Sequence, residues 1–394
     1  MPQYLSPGVY VEEVPPAARP IAGVGTSTAG FIGVGLSDAD MPLKPGSTTD
    51  HFTVAAAGVP QLITGWEQFK NSFGDFQKKK GAWSDADYGA YLQLQHAVYG
   101  FFNNGGTRCW VIRVAAAADL TNVADDLAKF EPIDEIAIVA IPGATAKAQQ
   151  EAMLDHCEKL LDRVAVLDGV ESPAALTAGD ISGGTRDSSY GALYFPWLKV
   201  FDPASETNIN IPPSGHLAGI YARVDATRGV HKAPANEVVR GAVDLERRLS
   251  KADQDGLNPT GINVIRPFGG TLKVYGGRTL GGDNNGEFRY LSTRRFINFL
   301  RESIDEGTQF VVFEPNSPAL WQRITRSVSD FLLNQWRAGA LFGETPKQAF
   351  FVKCDQDTNP PEVREAGQVV TEIGVAVVKP AEFVIFRIQQ LTGG

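Results

Sequence analysis

Cysteine is scarce in this chain. Cys109, Cys157 and Cys354 are the only three in 394 residues, odd in number and without CxxC spacing. That excludes a disulfide framework and a zinc ribbon, and it fits a reducing compartment. A basic excess is missing too. The 36 Lys and Arg stand against 45 Asp and Glu, a formal charge of −9, which argues against a general nucleic-acid binder. No apolar run approaches the ~18 residues of a membrane span, and the start of the chain shows no charged-then-apolar export pattern. Neither membrane insertion nor ordinary secretion is expected. Histidine is thin as well: His51, His96, His156, His216 and His231 lie far apart, with no HExxH and no i,i+4 pair. What is plentiful is glycine and proline, 41 and 24 residues, interleaved with apolar segments throughout. They imply many turns in a folded chain rather than disorder, and the length allows two or three domains.

Catalytic signatures are equally sparse. Gly23-Val24-Gly25 starts like a dinucleotide loop, but Thr28 stands where the third glycine belongs and no clear strand precedes it. The stretch GGRTLGGDNNG has no Walker lysine followed by Ser or Thr, and glycine-rich turns account for it better. Gly25-Thr26-Ser27-Thr28-Ala29 lacks the closing glycine of a nucleophile elbow. His156 and Cys157 are adjacent on a predicted helix, which suits packing better than joint metal binding. Asp253 and Asp255 open like a calcium loop without its closing glutamate. No catalytic residue, metal site or cofactor is expected, although triads assembled from remote positions leave no local signature.

Along the chain, residues 21–35 read as a glycine-punctuated strand region and 36–62 as a turn-rich excursion. Short and longer helices follow at 65–76 and 88–106, then a buried strand at 108–114. DEIAIVAIPG (134–143), the helix after it and VAVLDG (164–169) form a strand–helix–strand order, which implies a parallel α/β unit. YGALYFPWLKV (190–200) reads as a strand interrupted by Pro196, and IPPSGHLAGIYARVDATRG as a helix started by proline. The character changes after residue 270, where glycine-rich turns precede two helices. In the second, Ser317 is placed to cap and Pro318 fits the first turn. Leu320, Trp321, Ile324, Val328, Phe331, Leu332 and Trp336 then form an apolar stripe.

Both ends of the sequence carry a strand former set off by proline. GVYVEEV follows Pro7 and precedes Pro15 and Pro16; AEFVIFRIQQ follows Pro380. Each needs a partner sheet for its backbone groups, either the chain's own or a neighbour's. In FVIFRIQQ, Phe383, Ile385 and Arg387 alternate with Val384, Phe386 and Ile388, so both faces are apolar.

The segments LSPGVYVEEV, IPPSGHLAGIYARVDATRGVHKAPANEVVRG, LNPTGINVIRPFGGTLKVYGGRTL, EGTQFVVFEPNSPALWQRITRSVSDFLLNQWRAGALFG and VVKPAEFVIFRIQQ together resemble the contractile tail sheath proteins. These serve myophage tails, R-type pyocins and extracellular contractile injection systems. The resemblance covers both ends and most of 190–394, and is weaker over 36–190. It implies an α/β, mixed α+β, multi-domain protomer: an arm at 1–20, an α/β domain at 21–270 with a variable outer part at about 36–190, a C-terminal α+β core at 271–379 and a second arm at 380–394. It further implies strand exchange between subunits through Val9, Tyr10, Val11, Glu12 and Val14 and through Phe383, Val384, Ile385, Phe386 and Ile388. Pro15, Pro16, Pro20 and Pro380 would fix the arm exits. A helix at 317–338 would face the tube with Arg323 and Arg326. The implied partners are the chain itself as stacked hexameric rings, an inner tube protein, and baseplate and terminator or cap proteins, with no nucleic acid. Assembly would take place in a bacterial cytoplasm, with release by lysis. Two other readings remain: a doubly wound α/β enzyme, suggested by 134–169, and another tail or baseplate component.

Overall fold

The computed structural model describes residues 20–36, 40–81 and 83–387. The first half runs β1 (Thr28–Val34), β2 (Gln61–Ile63), α1 (Trp66–Phe73), α2 (Asp85–Asn104), β3 (Cys109–Val114), α3 (Ala124–Ala128), β4 (Ile136–Ala140), α4 (Lys147–Leu160), β5 (Val164–Asp168) and α5 (Ala178–Ser182). It continues with β6 (Gly191–Phe195), β7 (Leu198–Asp202), β8 (Thr207–Ile211), α6 (Ser214–Arg228), β9 (Glu237–Val238), β10 (Ala242–Leu245), α7 (Lys251–Leu257), β11 (Ile262–Phe268) and β12 (Thr271–Val274). Last come α8 (Leu291–Thr308), α9 (Pro318–Arg337), β13 (Phe350–Lys353) and β14 (Glu372–Val375). The chain divides into two compact units, residues 23–302 with 377–387, and residues 20–22 with 303–376. The division falls inside α8.

The larger unit is built on a nine-stranded sheet in the order β2-β3-β1-β4-β5-β6-β11-β12-β9. The six strands from β3 to β11 are parallel, and the strands at the edges are antiparallel. A parallel strand is covered on both faces and reads as a continuous apolar run. β1, TAGFIGV, is accordingly buried at all seven positions. Its alternating side chains serve two separate cores: Phe31 packs with Phe69, Leu94, Phe101 and Ile220, and Ile32 with Ile112, Phe130, Ile136 and Leu154. The β4–α4–β5 unit is the parallel crossover expected from residues 134–169. Mixed α/β is therefore the class of the molecule.

Two local features differ from the sequence reading. The strand expected over 190–200 is two strands in two sheets: β6 joins the large sheet, and β7 joins β10 and β8 after a cis Phe195–Pro196 bond. The glycine-rich stretch after residue 268 does not separate the compact units either. Gly269 and Gly270, at φ 54° and 84°, form the two-residue turn of the β11–β12 hairpin inside the large sheet.

The helices are brought close by small residues. A Cβ at Gly215 would lie 2.3 Å from the Ala97 backbone, and one at Gly219 2.3 Å from the Phe101 carbonyl, so α6 lies directly on α2. The start of α6 is fixed by Asp168 at the end of β5. This fully buried carboxylate accepts from Ser214 N at 2.8 Å, Ser214 Oγ at 2.7 Å and Gly143 N at 3.0 Å. Burial pushes the Asp168 carboxyl up to about 6, against the pull of those donors. Removing it orphans three donors, two of them buried, each hydrogen bond to a charged group contributing about 1.5–3 kcal/mol. Asp168→Ala is therefore expected to lower the unfolding free energy by at least about 3 kcal/mol, read from the urea midpoint; an unchanged midpoint contradicts this role.

Candidate assembly interfaces

Residues 377–387 lie with the larger unit. Lys379 Nζ is 3.3 Å from Glu287, and Glu382 is held by Arg278, Asn258 and Tyr290. The hold ends abruptly there. Phe383, Val384, Ile385 and Phe386 are 70%, 69%, 79% and 85% exposed, and Arg387 is exposed after them. Their backbone forms no strand in this single chain, although the residue types and alternation favour one. Four consecutive exposed apolar side chains have no use in an isolated globular protein and mark an interaction segment. Ile388 lies outside the described residues, as do Val9, Tyr10, Val11, Glu12 and Val14. Among the described residues of this segment, Glu382 is the one whose side chain is hydrogen-bonded to the larger unit next to the exposed stretch.

In the smaller unit, β13 and β14 pair antiparallel with Phe351 opposite Gly374 and Val352 opposite Ile373. Among the described residues this sheet has two strands, so neither outer edge carries another. Phe351 and Ile373 are 57% and 37% exposed. Gly374 makes room for the Phe351 ring, since a Cβ there would lie 2.1 Å from it. A two-stranded sheet is marginal by itself, and open edges with apolar side chains invite a further strand. No local sequence pattern marks these edges, because edge status depends on pairing with remote residues.

α9 forms as its capping and patterning predict. Ser317 Oγ accepts from Leu320 N, Pro318 takes the first turn, and Leu320, Trp321, Ile324, Val328, Phe331 and Leu332 are buried. Trp336 is half-buried, its Nε1 donating to Gly343 O at 2.9 Å. Arg323 and Arg326 are both exposed, but they are not equivalent. Arg323 lies 3.8 Å from Glu314 and over the Phe310 ring, whereas Arg326 lines an open groove with Gln322, Thr325, Ser329 and residues 352–355. Arg323 thus has its charge partly met within the chain.

The histidines and cysteines are scattered. No group of His, Cys, Asp and Glu among the described residues is placed to hold a metal ion. His96 is buried 3.3 Å from Asp202, and burial lowers the pKa of His216 to about 3, so it stays neutral. His156 and Cys157 are both buried on α4. Burial first, and the Arg163 charge second, lower His156 to about 4, and burial pushes the Cys157 thiol up. No helix among the described residues is long and apolar enough to cross a membrane.

Comparison with known proteins adds to this geometry. The phage tail sheath central-domain model matches residues 114–280, and the phage tail sheath C-terminal-domain model matches 283–390. A protein named as a prophage major tail sheath protein in Pseudomonas aeruginosa strain UCBPP-PA14 is 25% identical over 263 residues, covering 64% of this chain and 64% of that protein. The tail sheath protein of Burkholderia phage BcepMu is 27% identical over 257 residues, covering 61% of this chain and 52% of that one. The match thus spans about half to two thirds of these relatives. Two solved structures cover almost the whole chain. The anti-feeding prophage helical sheath in its contracted state is 29% identical with a TM-score of 0.76, covering 98% of this chain and 99% of that one. The sheath complex of the extracellular contractile injection system PVC, also contracted, is 26% identical with a TM-score of 0.76 and 99% coverage of both. With an exposed strand former, an open sheet in the smaller unit and these matches along its length, the chain belongs to the contractile tail sheath protein family.

Proposed function

We propose that this chain is the structural subunit of a contractile sheath. It polymerises as stacked hexameric rings around an inner tube and shortens to drive that tube through a target envelope. The observation that carries the reading is a complementary pair: an exposed apolar strand former at 383–387 and a two-stranded sheet, β13–β14, with open edges. Among the described residues neither has a further strand to pair with, and strand addition between copies would complete both. Such a contact is head-to-tail. When the rotation between copies does not close, it generates a helical assembly. The N-terminal segment Val9–Val14 is proposed as a second exchanged strand; a 20-residue arm reaches up to ~65 Å extended, enough to span to a neighbour.

Contraction on this reading is a re-packing of rigid bodies between two states while the strand links hold. The energy resides in a metastable extended polymer, and no nucleotide is needed. Arg323 and Arg326 face an acidic inner tube, with Arg326 the more available of the two. Exposed ion pairs contribute only ~0–1 kcal/mol each, which suits a contact that must break on firing. Baseplate and terminator proteins would begin and end the polymer. Assembly takes place in a bacterial cytoplasm, and release follows lysis of the cell.

Three experiments follow. Full-length protein in negative stain should show tubes or ring stacks, and a version lacking residues 1–16 should keep its thermal transition but form none; tubes from the truncated chain contradict the exchange. Phe383→Ser with Phe386→Ser should leave the monomer's stability within about 0.5 kcal/mol, because both rings are exposed. The same pair should abolish polymers, and a normal polymer yield contradicts the reading. Arg323→Glu with Arg326→Glu should preserve self-assembly while shifting the product from tube-filled to empty sheaths, counted on micrographs; an unchanged filled fraction removes the tube assignment.

A further inference from the structure

Within one residue the C-terminal segment passes from a hydrogen-bonded side chain, Glu382, to exposed ones. The Glu382 carboxylate is met by four donors. Oε1 accepts from Arg278 Nε at 2.8 Å and Asn258 Nδ2 at 2.7 Å, and Oε2 from Arg278 Nη2 at 2.8 Å and Tyr290 Oη at 3.0 Å. The Arg278 side chain is 4% exposed and also donates Nη1 to Asp283 at 2.9 Å and to Asn258 O at 3.2 Å. A bidentate guanidinium–carboxylate pair of this kind fixes direction as well as position.

The anchor continues inward. Arg278 N donates to Asn263 Oδ1 at 2.8 Å, and Asn263 Nδ2 donates back to Arg278 O at 2.8 Å and onward to Leu193 O at 3.2 Å. Asn263 is fully buried on β11, and Leu193 belongs to β6. The root of the segment is thus bonded through Arg278 to two interior strands of the large sheet. Burial raises the Glu382 pKa, but hydrogen bonds from Arg278 and Asn258 more than offset that and hold it below the usual carboxylate range. The contribution of a depressed carboxylate is present above its unfolded value near ~4.3 and lost only as pH falls through the folded value. The pair therefore holds at neutral pH.

An exchanged strand has a register problem that a hairpin strand lacks. No turn connects it to its new neighbour, so turn geometry cannot set the pairing. The segment's own pattern specifies it weakly, since Phe383 and Ile385 on one face match Val384 and Phe386 on the other. A slip of one residue would still place apolar groups on both faces, but would move Arg387 to the opposite one. Something outside the strand must set the count.

We infer that the Arg278–Glu382 clamp is the fixed root of this segment and sets the register in which residues 383–387 pair with a second copy of the chain. The inference rests on the sheath reading above. Because strand side chains alternate with period two, inserting one residue after the clamp inverts every face and inserting two restores it.

The test uses full-length variants: one alanine inserted between Glu382 and Phe383, two alanines at the same place, Glu382→Gln, and a chain ending at Glu382. The insertions leave the ion pair intact and fall where side chains are exposed, so the monomer's thermal transition should stay at the wild-type value. Tubes should be lost with one alanine and regained with two, and Glu382→Gln should reduce tube yield at neutral pH. Wild-type assembly of the single insertion, equal loss in both insertions, or full assembly of Glu382→Gln overturns the clamp. The truncated chain separates the two claims. If it still forms tubes, strand donation by this segment is wrong. If it forms none while the single insertion assembles normally, only the register role falls.

Discussion

A strand's backbone donors and acceptors must be satisfied by another strand, and this requirement underlies the architecture described here. In the large sheet the chain meets it internally, through six parallel strands whose both faces are covered. At 383–387 it does not: the side chains favour a strand, the backbone has no ladder, and the apolar groups face solvent. Among the described residues the β13–β14 sheet likewise has outer edges without a further strand. A monomer left in this condition is exposed to aggregation, unless the open edge and the loose strand are directed toward each other in neighbouring copies. On the proposed reading, polymerisation would satisfy in the assembly what the described residues leave unpaired in one chain.

The scale of the interaction suits repeated use. Each net backbone hydrogen bond contributes about 1 kcal/mol, and ordering each residue costs roughly 1–2 kcal/mol, so apolar burial must supply much of the gain. On the proposed reading Phe383, Val384, Ile385 and Phe386 would supply it, at up to about 1.5–3 kcal/mol for a large side chain buried completely. One link of this kind is modest. A lattice in which every subunit gives and receives links becomes a mesh that holds together while rigid units rotate. For that, the links must join a rigid body, and the buried Arg295–Asp225 pair, at 2.9 and 2.6 Å, shows how the larger unit is braced. It connects the first half of α8 to α6, and Arg295 also donates to Thr26 O near the start of β1.

Much of this was legible in the sequence, and the reasons differ by element. α9 could be read because its cap, its proline and its apolar stripe are local. β4–α4–β5 could be read because buried parallel strands are apolar runs and the helix between them has its own periodicity. Pro196 was visible but not its consequence, that β6 and β7 enter different sheets, because sheet membership is settled by remote pairing. The glycines after residue 268 read as turns from composition alone, and Gly269 and Gly270 do form one, because positive φ is open to glycine. Among the candidate site residues, the apolar groups on both faces of Phe383 to Phe386 imply a strand sandwiched in a sheet, and their exposure in the single chain is not written in that pattern. The Arg278–Glu382 pair left no signal: its members are 104 positions apart, and neither sits in a distinctive pattern.

Amide hydrogen exchange on the monomer and on the assembled polymer tests the central claim most directly. The account predicts fast exchange at residues 383–387 in the monomer and strong protection in the polymer, with new protection on an outer edge of β13 or β14 in the same sample. Polymer in which residues 383–387 exchange as fast as in the monomer would contradict it.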